Sequence, residues 1–481
     1  LVALHRRTGG FRAGDARNDF ADDEAGVNFL LVPYISAIVL FVTELRGNLA
    51  TWSVRLTVRS PWLPVAALTL SYAAQLAIVR YAAITAAHDV EIVRRGIALP
   101  LPVVYPGFAH QELCSIAFLL LAAIQTLFLV VLYRCKISTP VLVFGTASTL
   151  VLSLCAPALT SFDLYGYVHD AILGRAAYAP PSVAFTGEYR VFDAWFGKPS
   201  PTLYGPLWIP VVQLVTAVPA TLLGKMLALR FFSAALALAF LALMRAVGHP
   251  VRILAVIGIN PAFAFLTVAN AHNDLLVIAI VAGAALLMRA RPPIALGLLV
   301  VAGLIKLPYA LLGLPVIAYL RSPAQRIAGC VAVPVATVVL SWLGGGGLYE
   351  STLARYAGRF DEALVAHGAV VVAAIAVIAS TQIASRRFRT AVWLMPSLGS
   401  FRLPLVFPWY TLFGVPYAMP RRNVMRYLFV SLPFVSALVT PEFATLWTFF
   451  LIIPAATVLS IRWAGRGGLL THPNSSRSAI F

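Results

Sequence analysis

Acidic side chains are scarce in this sequence. Asp and Glu number 18 in 481 residues, and Asp274 is the only carboxylate between Asp193 and Glu350. Charged residues of both signs make up 11%, against about 25% in an ordinary soluble domain. So little charge cannot clothe a water-facing surface, which excludes a soluble globular class. Cysteine is also rare. Cys114, Cys135, Cys155 and Cys330 are scattered and form no CxxC pair. Their placement argues for core packing over a disulfide framework or a thiolate metal site.

What the chain does have is apolar length. Hydrophobic residues make up 60% and the mean hydropathy is +0.87. A helix needs about 20 apolar residues to cross a bilayer, and such runs follow one another almost end to end. The composition is that of an all-α polytopic membrane protein. Lys and Arg number 36, for a net charge of +18. In a soluble protein that excess would suggest nucleic acid. Here the cations fall mostly in short loops between apolar runs, as the positive-inside rule requires. No nucleic acid partner is expected; membrane lipid is.

The runs give about 14 spans, with the count good to about two. Residues 1–27 read as a polar tail, 28–139 as N-terminal spans, 140–420 as a membrane core, 421–461 as two last spans and 462–481 as a basic tail. Arg134 and Lys136 make one short loop cytoplasmic. Asp163, one span later, then faces outward. It opens the first large outer loop, 161–225, whose stretch 206–223 reads as a proline-broken interfacial helix. A second outer loop is expected at 343–362, and prolines should break 390–419 into two short helices. The localisation implied is the plasma membrane, multi-pass, with the polar site on the outer face.

Charges at a membrane lip are costly to keep, so each is a candidate for function. Asp163, His272, Asp274, Lys306, Lys225 and Arg230 come from distant parts of the chain. The topology sends all six to the same face. A carboxylate there can take a proton from a hydroxyl. Cations can hold a phosphate and stabilise it as a leaving group. Tyr165, Tyr167, Tyr204, Trp208, Trp409 and Tyr410 can stack on sugars, or simply form an interfacial belt. His169 and Asp170 follow Asp163 in the same predicted interfacial helix. The plain structural alternatives are a helix cap for Asp163 and for Asp274, and snorkelling to the interface for Lys306.

The motifs that carry a resemblance come in order. They are Asp163-Leu164-Tyr165-Gly166-Tyr167, Tyr204-Gly205-Pro206-Leu207-Trp208, Asn260-Pro261, Asn270-Ala271-His272-Asn273-Asp274, Lys306-Leu307-Pro308 and Phe407-Pro408-Trp409-Tyr410. Together they resemble the bacterial GT-C glycosyltransferases that use polyprenyl-phosphate sugars. The likeness is greatest to the actinobacterial mannosyltransferases of lipomannan-type glycolipid synthesis. It covers roughly residues 140–420 and implies a GT-C-like helical bundle with an interfacial helical outer loop. It also implies transfer of a sugar, mannose by this branch, from a polyprenyl-phosphate donor to a glycolipid or glycan acceptor with inversion.

On that resemblance Asp163 is the general base, and Lys306, Arg230 and Lys225 meet the donor phosphate. His272, Asp274, Tyr165, Tyr167, Tyr204, His169, Asp170, Trp409 and Tyr410 position acceptor or substrate. Many members pair two acids in the first loop, whereas the next acid after Asp163 is Asp170, about two helical turns on. No metal ligand is therefore assigned, and a divalent metal is unsupported. The rival readings are a lipid or glycolipid transporter or flippase, and a non-catalytic scaffold of envelope synthesis.

Overall fold

The computed structural model describes residues 60–86, 111–156, 163–179, 189, 201–246, 248–317, 319–358 and 432–433. Every regular element among them is helical. In chain order they are α1 (Trp62–Ala86), α2 (Gln111–Arg134), α3 (Thr139–Leu154), α4 (Asp163–Leu173), α5 (Trp208–Val215), α6 (Leu222–Ala246) and α7 (Val251–Gly258). Then follow α8 (Pro261–Ala264), α9 (Asp274–Leu287), α10 (Pro292–Ile305), α11 (Gly313–Ile317) and α12 (Pro323–Gly358).

Among the described residues, two helices are long and apolar enough to cross a membrane, over Leu222–Ala246 and Pro323–Leu353. The stretch from Val251 to Ala269 is comparably apolar, but it bends by 57° between Gly258 and Pro261. The bend has a local cause. Asn260 caps the next helix by accepting from the amides of Ala262 and Phe263, and Pro261 takes the first helical position, where its missing N–H costs nothing. The Asn-Pro pair is thus a helix restart. Its helix then runs directly into one π-type turn, Phe265–Ala269.

Helices α9 and α10 form a tight hairpin. Each has 14 residues, about 21 Å at 1.5 Å per residue. Arg289 and Arg291 occupy the turn, and Pro292 opens α10 at its first position. A hairpin brings its two far ends together, so Asp274 at the start of α9 meets Lys306 just beyond the end of α10. The core builds outward from here. Leu275, Val281 and Leu299 pack with Leu229 and Phe240 of α6 and Leu164 and Val168 of α4 in one buried apolar cluster.

Two stretches differ in form from the reading of the sequence. The apolar run 307–319 reads as the partner of 293–304 in a tight pair hinged at Lys306; it is instead a 3-10 turn, Leu307–Leu312, and the five-residue α11. Lys306, with an extended φ of −137°, ends α10 and makes the hinge. Residues 343–358, expected as the start of a polar loop, continue α12 as helix, interrupted by Gly346 at φ 62° and ψ −163°. Four successive glycines suggested a loop. Apolar and tyrosine contacts decide otherwise: Tyr349 is buried against Tyr178 at 5.0 Å between ring centroids. The spans expected in 28–44, 363–381 and 427–461 lie outside the described residues, except for Leu432 and Pro433.

Candidate active site

Asp163 is the first residue of α4. An acid in the first turn suits the positive end of the helix dipole, but its side chain is used elsewhere. Oδ2 accepts from the Tyr204 hydroxyl at 3.0 Å and, more weakly, from the Tyr167 hydroxyl at 3.3 Å. His272 Nδ1 lies 2.9 Å from the same oxygen. An ionised carboxylate only accepts, so His272 carries its proton on Nδ1 and donates. The four residues are separated by up to 109 positions in sequence and come from three segments.

Exposure separates the roles within this cluster. The His272 side chain is fully buried, whereas 28% of the Asp163 side chain remains exposed. A hydroxyl arriving from outside reaches the carboxylate, not the imidazole. His272 stands behind Asp163 as its support. Burial pushes the Asp163 carboxyl up. The His272 hydrogen bond and charge, the Lys306 charge and the Tyr204 hydrogen bond outweigh that, and the carboxyl ends below its ordinary value. It is ionised at neutral pH, as a base must be. The hydrogen-bond donors and charges around the carboxylate outweigh its desolvation. Burial, then the Asp163 and Asp274 charges, push the Tyr167 phenol well up, so it stays a protonated donor.

This sets the sign of a pH test. Activity that needs ionised Asp163 is present above the folded carboxyl pKa and is lost as pH falls through it. Replacing His272 by Gln removes both its charge and its assisted hydrogen bond, so desolvation prevails. In His272→Gln the acidic limb of the rate profile moves to higher pH, measured as kcat/KM against pH. An unmoved limb would show that His272 does not govern the Asp163 proton.

The second cluster closes the open end of the α9–α10 hairpin. Lys306 Nζ donates to both oxygens of Asp274, at 2.7 and 2.8 Å. Asp274 is fully buried and Lys306 is 13% exposed at the side chain. Each charge also suits its helix end, Asp274 at the N-terminus of α9 and Lys306 past the C-terminus of α10. Tyr204 joins the two clusters. Its hydroxyl binds Asp163, while the Lys306 ammonium lies 5.6 Å from its ring centroid, within cation–π range.

Tyr204 is held there by the backbone that follows it. The last carbonyls of a helix have no partner inside it. Here the carbonyls of Ile305 and Leu304 accept from the amides of Gly205 and Leu207, at 2.8 and 3.0 Å. The strap runs so close that a Cβ on residue 205 would lie 2.1 Å from the Leu304 oxygen. Only glycine fits, which is the physical content of the Tyr-Gly-Pro motif. Trp208 supports the site from below, with its ring 4.8 Å from that of Tyr167 and 6.3 Å from that of Tyr204.

The turn that presents His272 is strained. Ala271 has φ 51°, a left-handed conformation that costs a residue with a Cβ about 1–2 kcal/mol. It joins the π-type turn to α9 and aims His272 back at Asp163.

The remaining expected site residues fall in other places. Arg230 is buried and donates to the carbonyls of Ala269 and Leu154. Lys225 is half-buried, and its Nζ donates to the Thr216 carbonyl at 2.7 Å, tying the loop after α5. Tyr165 is buried in the main apolar cluster. His169 and Asp170 are buried and lie 3.8 Å apart at their nearest polar atoms. Burial pushes the Asp170 carboxyl up despite hydrogen bonds from His169 and Thr202. Trp409 and Tyr410 lie outside the described residues. Among the described residues, no three His, Cys, Asp or Glu side chains come together as a metal ion would need.

Residues 113–322 match the family of the alpha-(1->6)-mannopyranosyltransferase N-terminal domain, the MptA_B family. The match covers less than half of the chain. The match contains every residue of both clusters, from Asp163 to Lys306. No curated protein and no solved structure matches the chain. The family match supports a glycosyltransferase, and the apolar helices fit a membrane protein. Sequence reading missed two supports of this domain. One is the Asp274–Lys306 ion pair, which the hairpin of two equal apolar runs could have revealed. The other is the strap over α10, whose signal was the glycine in Tyr-Gly-Pro.

Proposed function

We propose that the protein transfers mannose from a polyprenyl-phosphate donor to a glycolipid or glycan hydroxyl, on the outer face of the plasma membrane. The observation that carries this is the half-open Asp163 carboxylate, ionised and fixed by three donors, beside a Lys306 ammonium held by Asp274. The acceptor hydroxyl gives its proton to Asp163 as its oxygen attacks the anomeric carbon. The bond from that carbon to the phosphate oxygen breaks on the opposite face, and configuration inverts. Lys306 stabilises the departing phosphate, a use of a preorganised charge where new charge develops. His272 steadies the base, and Tyr167 and Tyr204 order the carboxylate and offer aromatic surface to sugar.

The GT-C type, a bundle of about 14 spans and the outward orientation belong to the same reading. Mannose is supported by the family description, and the membrane donor by the apolar helices on both sides of the site. No metal ligand set is assigned. The test is transfer by purified, lipid-reconstituted protein offered polyprenyl-phosphomannose, polyprenyl-phosphoglucose and GDP-mannose in parallel. Turnover with the first alone, to an α-linked product, is the expected result. Turnover with the nucleotide sugar would overturn the lipid-donor reading, and none with any donor the enzymatic one.

A further inference from the structure

We infer that Arg230 is a positioning residue. It acts as a bracket that fixes the spacing between Asp163 and its His272 support without touching substrate. The inference rests on the proposed role of Asp163 as base.

A guanidinium within an apolar core is expensive, and its presence there asks for a task. Arg230 is 1% exposed, in the middle of α6. Its Nε donates to the Ala269 carbonyl at 2.8 Å and its Nη1 to the Leu154 carbonyl at 3.1 Å. Both acceptors lie at helix ends, where carbonyls lack helical partners and carry the negative end of the dipole. Leu154 is the last residue of α3, and Ala269 the last of the π-type turn. Each end leads to one half of the dyad. Asp163 opens the next helix after Leu154, and His272 comes three residues after Ala269.

A second contact joins the same two elements. The Tyr72 hydroxyl lies 2.8 Å from Ser153 Oγ, and its ring meets Phe265 edge-on at 6.5 Å. Ser153 precedes Leu154, and Phe265 begins the π-type turn. The bracket also explains how Ala271 keeps its left-handed φ. Strained residues persist where their surroundings over-determine them, and Arg230 holds the chain two residues before the strain. A planar fork can serve two carbonyls at once; a lysine ammonium on a flexible stem does not replace it.

The experiment compares Arg230→Met and Arg230→Lys, each alone and combined with Asp163→Asn, in reconstituted full-length protein. Readouts are kcat, donor KM and thermal unfolding. A misplacement of about 1 Å at a reacting group can lower the rate 10²-fold. The expected result is a kcat loss of roughly 10- to 100-fold in both single variants, with donor KM unchanged. The loss vanishes in the Asp163→Asn background, because there is no base left to misplace.

A raised donor KM with normal kcat would mean a phosphate contact and overturn the bracket. Normal kcat per folded molecule with a lowered unfolding temperature would mean a packing role only, and also overturn it. If Arg230→Met does not fold, Arg230→Lys keeps the charge and decides the matter by the same split. Unchanged turnover in Asp163→Asn alone would instead sink the general-base reading, a separate outcome.

Discussion

Asp163→Asn lowers mannosyl transfer by about 10³-fold, within the range general base catalysis contributes, while the protein remains folded. The amide keeps the shape and half the acceptor capacity of the carboxylate. Tyr204 and Tyr167 can still donate to its oxygen. His272 Nδ1 can do so as well, at the cost of a weaker, uncharged bond. Only the ability to take a proton is lost. Donor KM should therefore stay near its wild-type value while kcat falls, the pattern of an interaction made in the transition state. The measurement is steady-state transfer with lipid-phosphate donor, paired with thermal unfolding. A kcat within a few-fold of wild type would remove Asp163 as the base. A collapsed unfolding temperature would assign it to structure.

Lys306→Met has the largest expected effect on stability. It leaves the fully buried Asp274 carboxylate without its cation, and breaking one side of a buried pair costs about 3–5 kcal/mol. Adding Asp274→Leu removes the stranded charge, and the double variant should recover most of that stability, because a well-packed apolar pair often replaces a buried ion pair without loss. Catalysis should not recover, since the leaving phosphate still lacks its ammonium. Thermal unfolding and turnover, measured on both variants, separate the two uses of one lysine. A double variant that regains turnover would show that the pair serves only the fold. A single variant as stable as wild type would show that the pair is not buried in the membrane-bound protein.

Much of the site was legible in the residues, for a specific reason. In a chain with so few carboxylates, each survivor at a span end stands out. Asp163 and Asp274 could be picked by scarcity, and His272 by adjacency. The alternation of basic loops placed Asp163 and the 270–274 cluster on one side. The hairpin places Lys306 with Asp274, and Asp163 meets His272 across 109 positions. Arg230 and Lys225 are equally conspicuous as cations, and each donates to backbone carbonyls. Scarcity identifies a charge worth explaining; it does not say what the charge faces.

The sequence by itself determined the helical class, the apolar runs and the residue types available for catalysis. These depend on composition, length and neighbours within a turn or two. Only the tertiary structure decided which oxygen His272 binds, that Lys306 answers Asp274, and that Gly205 lets the strap touch α10. It also decided that Arg230 reaches the carbonyls of two helix ends. Those outcomes depend on contacts of about 3 Å between segments tens of residues apart, where a shift of one side chain exchanges one partner for another. Local pattern carries no information at that range.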